Sequence, residues 1–209
     1  MKKSSILILI IICLVGCKKG SNETTITGEI KGLGTDTLYL YGMDELYDRI
    51  DTIYVENDKF SYTTSVDTIT SAYLLLKNRI EYPVFLDKGN KIKIKGDTIN
   101  LNFLTISGNI YNEEFTDFQK ALEDPADPSE KAGEETVDKR ITVEKANTAE
   151  EMAEEFILQH HSSYVSLYLL DKYFVQKETP DFSKIKKLVE VMTLSLIHIS
   201  EPTRLRRIS

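Results

Sequence analysis

The sequence has very little sulfur chemistry and contains no tryptophan. Its 209 residues include two cysteines, Cys13 and Cys17, so no thiol occurs after position 17. Beyond that point the chain cannot form a disulfide, a catalytic thiolate or a cysteine-based metal site. Basic residues are also in deficit, because 26 Lys+Arg against 33 Asp+Glu give a formal net charge of -7. We therefore expect no nucleic acid as partner, since phosphate neutralisation needs a basic face.

The sequence has no long hydrophobic run, and its longest apolar run, near the N-terminus, has only ten residues. Two lysines at positions 2 and 3 precede ten consecutive apolar residues at 6–15. A membrane-spanning helix needs about 20 apolar residues, so this run is too short to span. A basic start followed by a short apolar core is typical of a signal peptide, which we place at residues 1–16.

The residues at the end of this run resemble the lipobox of bacterial lipoproteins. They read Leu14, Val15, Gly16 and Cys17. The resemblance implies cleavage before Cys17, a diacylglycerol on its thiol and a further acyl chain, of the palmitate kind, on the new amino group. Several acyl chains would hold the protein in the membrane almost irreversibly. The alternative is an ordinary secretory signal that contains a cysteine by chance.

Residues 17–23 are a short polar tether. In some Gram-negative lipoproteins an acidic cluster directly after the cysteine directs the protein to the outer surface. Here Lys18 and Lys19 occupy those positions. The expected location is therefore the cell envelope, at the periplasm-facing side of the outer membrane.

Residues 24–108 alternate between apolar and polar side chains with a period of two, which is typical of β-strands. Glycine- and aspartate-containing turns separate seven or eight short runs, including one predicted over residues 99–103. This pattern predicts an antiparallel β-sandwich or a barrel-like module. The lysines at 91, 93 and 95 indicate a solvated face or a protected edge, with an anion-binding stripe as the alternative.

Residues 109–193 form a helical, acidic linker region, so the fold class is α+β. Between positions 113 and 155 the chain has 15 acidic and five basic residues, as expected of a solvated helical face or an acidic binding surface. We predict one helix around Phe115 and Phe118, and a second from about Thr148, where Thr148 and Glu151 fit a capping box. A third is predicted over 163–174, and a fourth begins near Pro180. The later helices have no evident partner, so we expect them to be marginal alone.

Candidate sites for chemistry are few. His160 and His161 are adjacent, but neighbouring residues on a helix point about 100° apart and no third ligand is evident. We therefore predict no catalytic residue, no metal and no cofactor. Seven of the eleven tyrosines fall in the predicted strands, where β-propensity explains them. A tyrosine-rich binding face for a peptide or glycan is the alternative. These seven are Tyr39, Tyr41, Tyr47, Tyr54, Tyr62, Tyr73 and Tyr82.

Several short motifs resemble the family of the domain of unknown function DUF4369. The strand around Gly28 matches its I-x-G-x-I/V element, residues 85–92 its F-x-x-x-G-x-x-I element, and residues 104–108 its closing V-x-G strand. The resemblance implies a lipid-anchored periplasmic protein in which this module precedes a thioredoxin-like domain, of the thiol–disulfide oxidoreductase or peroxiredoxin-like kind. That domain would carry the reactive cysteines.

Residues 194–209 differ in composition from the rest. Up to position 193 the chain has 20 lysines and three arginines, whereas the last 16 residues have three arginines and no lysine. The string at 194–205 resembles translated sequencing-adapter read-through, so we expect a non-native tail; a genuine tail is the alternative.

The leading hypothesis is a non-catalytic, lipid-anchored N-terminal module of a truncated thiol–disulfide oxidoreductase, not itself an enzyme. The alternative is a stand-alone periplasmic binding lipoprotein.

Overall fold

The structure, a computed structural model, describes residues 22–42, 46–76, 79–123 and 139–200, with side chains from 22 to 123 and 148 to 192. The predicted signal peptide, Cys17 and residues 201–209 of the predicted tail lie outside this part. The strands are β1 (Glu23–Lys31), β2 (Asp36–Tyr41), β3 (Ile50–Val55), β4 (Lys59–Ser65), β5 (Thr70–Leu75), β6 (Glu81–Leu86), β7 (Lys91–Asp97) and β8 (Thr105–Ser107). The helices are α1 (Ile110–Glu123), α2 (Lys139–Gln159), α3 (Tyr164–Leu170), continued by a π-helical segment (Asp171–Val175), and α4 (Phe182–Ser200).

The eight strands form two four-stranded sheets. Sheet A has the order β4-β1-β7-β8 and sheet B the order β3-β2-β5-β6. The α+β class and the sandwich-like arrangement are confirmed. One pair, β1 with β7, is parallel. Parallel strands need a long connection, and here the strands of sheet B lie between β1 and β7 in the chain.

The core lies between the two sheets. Sheet A contributes Ile26, Ile92 and Ile94, and sheet B contributes Leu40 and Leu74, all at most 1% exposed. These positions follow the period of two expected from the sequence. The alternating lysines of β7 lie on the opposite, outer face of sheet A and are exposed. Because β7 is paired on both sides, the lysines mark a solvated face and not an edge.

Helices cover the outer face of sheet B on its β6 side. Strand β6 is buried at five consecutive positions, from Tyr82 to Leu86. The ring of Phe85 lies 6.1 Å from that of Phe115 in α1 and 6.3 Å from that of Tyr168 in α3. A strand buried on both faces loses its alternation, which explains the apolar run. The molecule therefore has a third, helical layer.

Helix α1 closes the side of the sandwich where β6 and β8 are the edge strands. The amide of Asn112 accepts from the N–H of Phe85 at 2.9 Å and donates to its carbonyl at 2.8 Å. One turn later, the Thr116 hydroxyl accepts from the N–H of Ile106 and donates to its carbonyl, both at 3.0 Å. Both side chains are buried. Two residues four apart thus satisfy backbone groups of two different sheet edges.

The strand predicted over residues 99–103 is wrong. This segment is a turn, and Ile99 is 93% exposed. The Asp97 carboxylate accepts from the N–H of Ile99, and the Asp97 carbonyl accepts from the N–H of Asn100. These local bonds turn the chain before an extended ladder can form.

The third and fourth helices begin within two residues of their predicted starts, whereas the second begins earlier. Helix α2 begins at Lys139, so Thr148 and Glu151 lie inside it and not at its cap. Helix α4 begins at Phe182, and Asp181, one residue after Pro180, caps it by accepting from the N–H groups of Ser183 and Lys184. Within the described residues, no helix has the length and apolar character needed to cross a membrane.

The expectation that the later helices lack a partner is wrong. Their apolar stripes belong to the same buried cluster as the sheets, with Ile157, Leu169, Phe174 and Leu188 at most 3% exposed. The ring of Phe118 in α1 lies 5.6 Å from that of Phe156 in α2. Tertiary packing, and not helix propensity, stabilises this layer.

Candidate functional site

The described part contains a cleft of about 700 Å³ between the outer face of sheet B and the π-helical segment. The side chains that line it are mainly tyrosines and charged groups. They include Tyr41, Tyr73, Glu81, Tyr168, Asp171 and Lys172. We name this feature the tyrosine cleft.

Sheet B supplies one wall of the tyrosine cleft. Tyr41 on β2 and Tyr73 on β5 are directly opposite each other in the antiparallel register, so both project from the outer face. Their rings stack with centroids 5.8 Å apart and an interplanar angle of 29°. Glu81, at the start of β6, projects from the same face.

The helical layer supplies the other wall. The ring centroid of Tyr168 in α3 lies 6.4 Å from that of Tyr73. The π-helical segment begins with Asp171 and Lys172, and its i→i+5 bond runs from the N–H of Gln176 to the carbonyl of Asp171 at 2.9 Å. A π-helical turn inserted into a helix is frequently found at functional sites.

Lys172 and Gln176 organise this wall. The Nζ of Lys172 donates to the Tyr168 hydroxyl at 3.1 Å and lies 5.5 Å from the centre of its ring. The Nε2 of Gln176 donates to the Asp171 carboxylate at 2.6 Å. Lys172, the one cation among the described lining residues, thus contacts the Tyr168 ring, while a neutral amide orients Asp171.

The tyrosines of the cleft are held in their neutral, proton-donating form. Burial, together with the hydrogen bond to Glu81, raises the pKa of Tyr41. Burial and the negative charges of Asp171 and Glu81 raise the pKa of Tyr73. Two carboxylates therefore lie close enough to act electrostatically on one hydroxyl, and the cleft offers phenol donors beside carboxylate acceptors.

The remaining strand tyrosines do not share this site. Tyr47 and Tyr82 are buried, and Tyr54 is 72% exposed away from the cleft. Of the seven predicted, the structure brings Tyr41 and Tyr73 to the cleft. Tyr168 was not predicted as a site residue, because its helical spacing indicates packing and nothing local links it to β5.

The histidine pair is separated by the structure. The ring of His160 stacks on that of Phe156 at 4.3 Å, and its Nδ1 lies 3.6 Å from the Glu114 carboxylate. His161 is exposed. Over the described ranges, no group of three or more His, Cys, Asp or Glu side chains is placed to hold a metal ion.

One of the alternating lysines of β7, Lys95, borders a shallow hollow on sheet A of about 490 Å³. Two lysines line it, Lys31 and Lys95, and so do two carboxylates, those of Glu29 and Asp97. The acidic groups offset the basic ones, so the hollow lacks the excess of positive charge that an anion site needs.

Comparison with protein families matches residues 24–115 to a domain of unknown function, DUF4369. Neither the comparison with curated proteins nor that with solved structures finds a match. The structure shows why two positions of the matched range are glycines. A Cβ on Gly28 would lie 2.1 Å from the Phe60 ring, and Gly108 has φ +112 with the Lys91 carbonyl oxygen 2.2 Å from where its Cβ would stand.

The matched range includes one wall of the tyrosine cleft and not the other. It includes all eight strands, and with them Tyr41, Tyr73 and Glu81, but it ends within α1. Tyr168 and Asp171 come from the helices that follow. Residues 24–115 therefore match DUF4369, and the tyrosine cleft lies between the matched range and the helical layer.

Proposed function

We propose that the chain is a lipid-anchored cell-envelope protein, and that the described part is a non-catalytic module. The observation that carries the proposal is the order of a basic start, ten apolar residues and a lipobox-like end at Cys17. Strand β1 begins at Glu23, six residues later. Six extended residues span at most about 21 Å, so the anchor would hold the module close to the membrane surface.

The anchor is tested by expressing the full chain in a Gram-negative host with labelled palmitate. We expect label in the membrane fraction and an intact mass that corresponds to cleavage before Cys17 plus three acyl chains. Cys17→Ser should abolish labelling, while Cys13→Ser, which alters only the signal, should not. An unlabelled, uncleaved product would contradict the proposal.

We further propose that the parent gene places a thioredoxin-like domain after this module. Support comes from the match of residues 24–115 to DUF4369 and from the adapter-like string at 194–205. Resequencing the locus beyond codon 193 should reveal a frame with a C-x-x-C pair. An insulin-reduction assay of the present chain should give no turnover, because disulfide exchange needs a thiolate.

A second function, ligand binding in the envelope, is favoured by the tyrosine cleft. Its volume falls within the range of about 300–1,000 Å³ that is usual for ligand pockets, and aromatic faces with a few polar groups line it. A panel of peptides and oligosaccharides, followed by NMR of the tyrosine rings, tests it. Ligands should shift the signals of Tyr41 and Tyr73 but not that of Tyr54, which lies outside the cleft.

A further inference from the structure

The electrostatic character of the tyrosine cleft is set by charges from two separate elements. Glu81 belongs to sheet B, and Asp171 to the π-helical segment. Both carboxylates line the cleft, one from each wall, and the negative charge of each acts on the Tyr73 hydroxyl. Among the described residues that line the cleft, Lys172 is the one cation beside these two anions.

Lys172 does not neutralise these carboxylates. Its Nζ is directed to the Tyr168 hydroxyl and lies over the Tyr168 and Tyr173 rings. Among the described side chains, neither Glu81 nor Asp171 has a lysine or arginine nitrogen within ion-pair distance. Their hydrogen-bonding partners are neutral: the Tyr41 hydroxyl for Glu81 and the Gln176 amide for Asp171. The cleft is thus complementary to an incoming positive charge.

The aromatic wall favours a planar cationic group as the ligand. The rings of Tyr41 and Tyr73 are close to parallel, and Tyr168 continues the aromatic surface. A guanidinium group is planar, stacks on aromatic faces and bonds carboxylates in a bidentate manner, while an ammonium is a strongly hydrated point charge. The two carboxylates and the rings therefore match a guanidinium better than an ammonium.

We propose that the tyrosine cleft binds an arginine side chain of a partner peptide, its guanidinium lying on the tyrosine rings and bonded to Glu81 and Asp171. This inference rests on the second function above, ligand binding by the cleft. A volume of about 700 Å³ leaves room for residues on either side of the arginine, which favours a peptide segment over the free amino acid.

The test compares two probes of nearly equal shape and different charge. The full chain, in detergent, is titrated with N-acetyl-arginine amide and with N-acetyl-citrulline amide, and binding is followed by NMR of the tyrosine rings. We expect the arginine probe to bind at least tenfold more tightly, to shift Tyr41 and Tyr73, and to weaken as salt is added. Equal affinity for the two probes would overturn the proposal.

Two matched variants test whether the carboxylate of Glu81 binds the arginine probe. Glu81→Gln should weaken the arginine probe about tenfold and the citrulline probe much less. Glu56→Gln, which removes an exposed carboxylate at the β3–β4 turn, should change neither. Glu81 is exposed, so Glu81→Gln is expected to fold, and circular dichroism verifies this.

The outcomes separate the inference from the function on which it rests. If a neutral oligosaccharide such as chitotriose shifts Tyr41 and Tyr73 and the arginine probe does not, the cation inference is overturned and ligand binding stands. If neither the probes nor the peptide and oligosaccharide panel shifts these rings, both are overturned. Neither result bears on the anchor at Cys17, which is tested by palmitate labelling.

Discussion

The outer faces of the two sheets have opposite environments. On sheet A, strand β7 presents lysines at alternate positions to water. On sheet B, strand β6 has five consecutive buried residues because α1 and α3 cover its outer face. The uncovered outer face of sheet A is a solvated surface. Where helices pack on sheet B, a boundary between sheet and helix forms, and the tyrosine cleft lies at that boundary.

The largest expected effect of a mutation is at the centre of the covered face. Phe115 is 2% exposed, and its ring contacts those of Tyr82, Phe85 and Tyr168. We expect Phe115→Ala to lower the free energy of unfolding by about 3–5 kcal/mol, measured by urea denaturation. Ile99→Ala, at a 93% exposed position, should change it by less than about 0.5 kcal/mol. A loss below about 1 kcal/mol for Phe115→Ala would contradict a packed third layer.

The next largest effect on stability is expected where Thr116 of α1 bonds to the backbone of β8. Thr116→Val keeps the volume of the side chain but removes both hydrogen bonds to Ile106. Leaving a buried N–H and C=O unpaired should cost about 1–3 kcal/mol in a urea-denaturation experiment. Thr116→Ser retains the hydroxyl and should cost less than Thr116→Val. The opposite order would show that the methyl group, and not the hydrogen bonds, matters here.

The buried tyrosines predict a loss of stability in alkali. Burial raises the pKa of Tyr73 and Tyr168, and burial with the Asp51 bond raises that of Tyr47 to about 12. In the unfolded chain tyrosines lose their protons near pH 10. The stabilisation is therefore complete below pH 10 and is lost as the pH rises through the folded values. Tyrosinate absorbance should rise together with unfolding; a full tyrosinate signal from the folded protein near pH 10 would contradict this.

A smaller pH effect is expected within the helical layer. Lys177, with some help from Lys184, holds the pKa of the Glu150 carboxyl below its usual value. Its stabilisation is present above the unfolded value of about 4.3 and is lost as the pH falls through the lower folded value. Glu150→Gln should therefore cost about 0.5–1 kcal/mol at neutral pH and nothing in strong acid. Glu190→Gln, at an exposed pair with Lys186, should cost less.

The smallest effect is expected on the uncovered face. Lys93 lies on the outer face of β7, exposed to water. Lys93→Gln should change the free energy of unfolding by no more than about 0.5 kcal/mol, again by urea denaturation. A loss above about 1 kcal/mol would show that sheet A too has a covered outer face.

Local pattern predicted much of the fold and little of the site. The alternation of β7 is enough to predict a half-exposed strand, and the apolar run of β6 carries the signal of a strand buried on both faces. Residues 99–103 alternate as well, yet the bonds made by Asp97 turn the chain there. Alternation describes which faces a strand would have but does not decide whether side-chain bonds interrupt it.

The tyrosine cleft depends on contacts that no local pattern records. Tyr41 and Tyr73 meet through the register of β2 and β5. Tyr168 and Asp171 join them only because α3 and its π-helical continuation pack on sheet B. Asn112 and Thr116 likewise resemble ordinary polar helix residues until the edges of β6 and β8 are placed beside them. Tertiary placement, and not residue type, defines these positions.

Hydrogen–deuterium exchange of the full chain tests most directly whether the helices are one unit with sheet B. We expect backbone amides of α3 to exchange as slowly as those of β6, because both would open only when the whole unit unfolds. Exchange in α3 that is orders of magnitude faster than in β6 would contradict it, since the cleft would then lack a stable second wall.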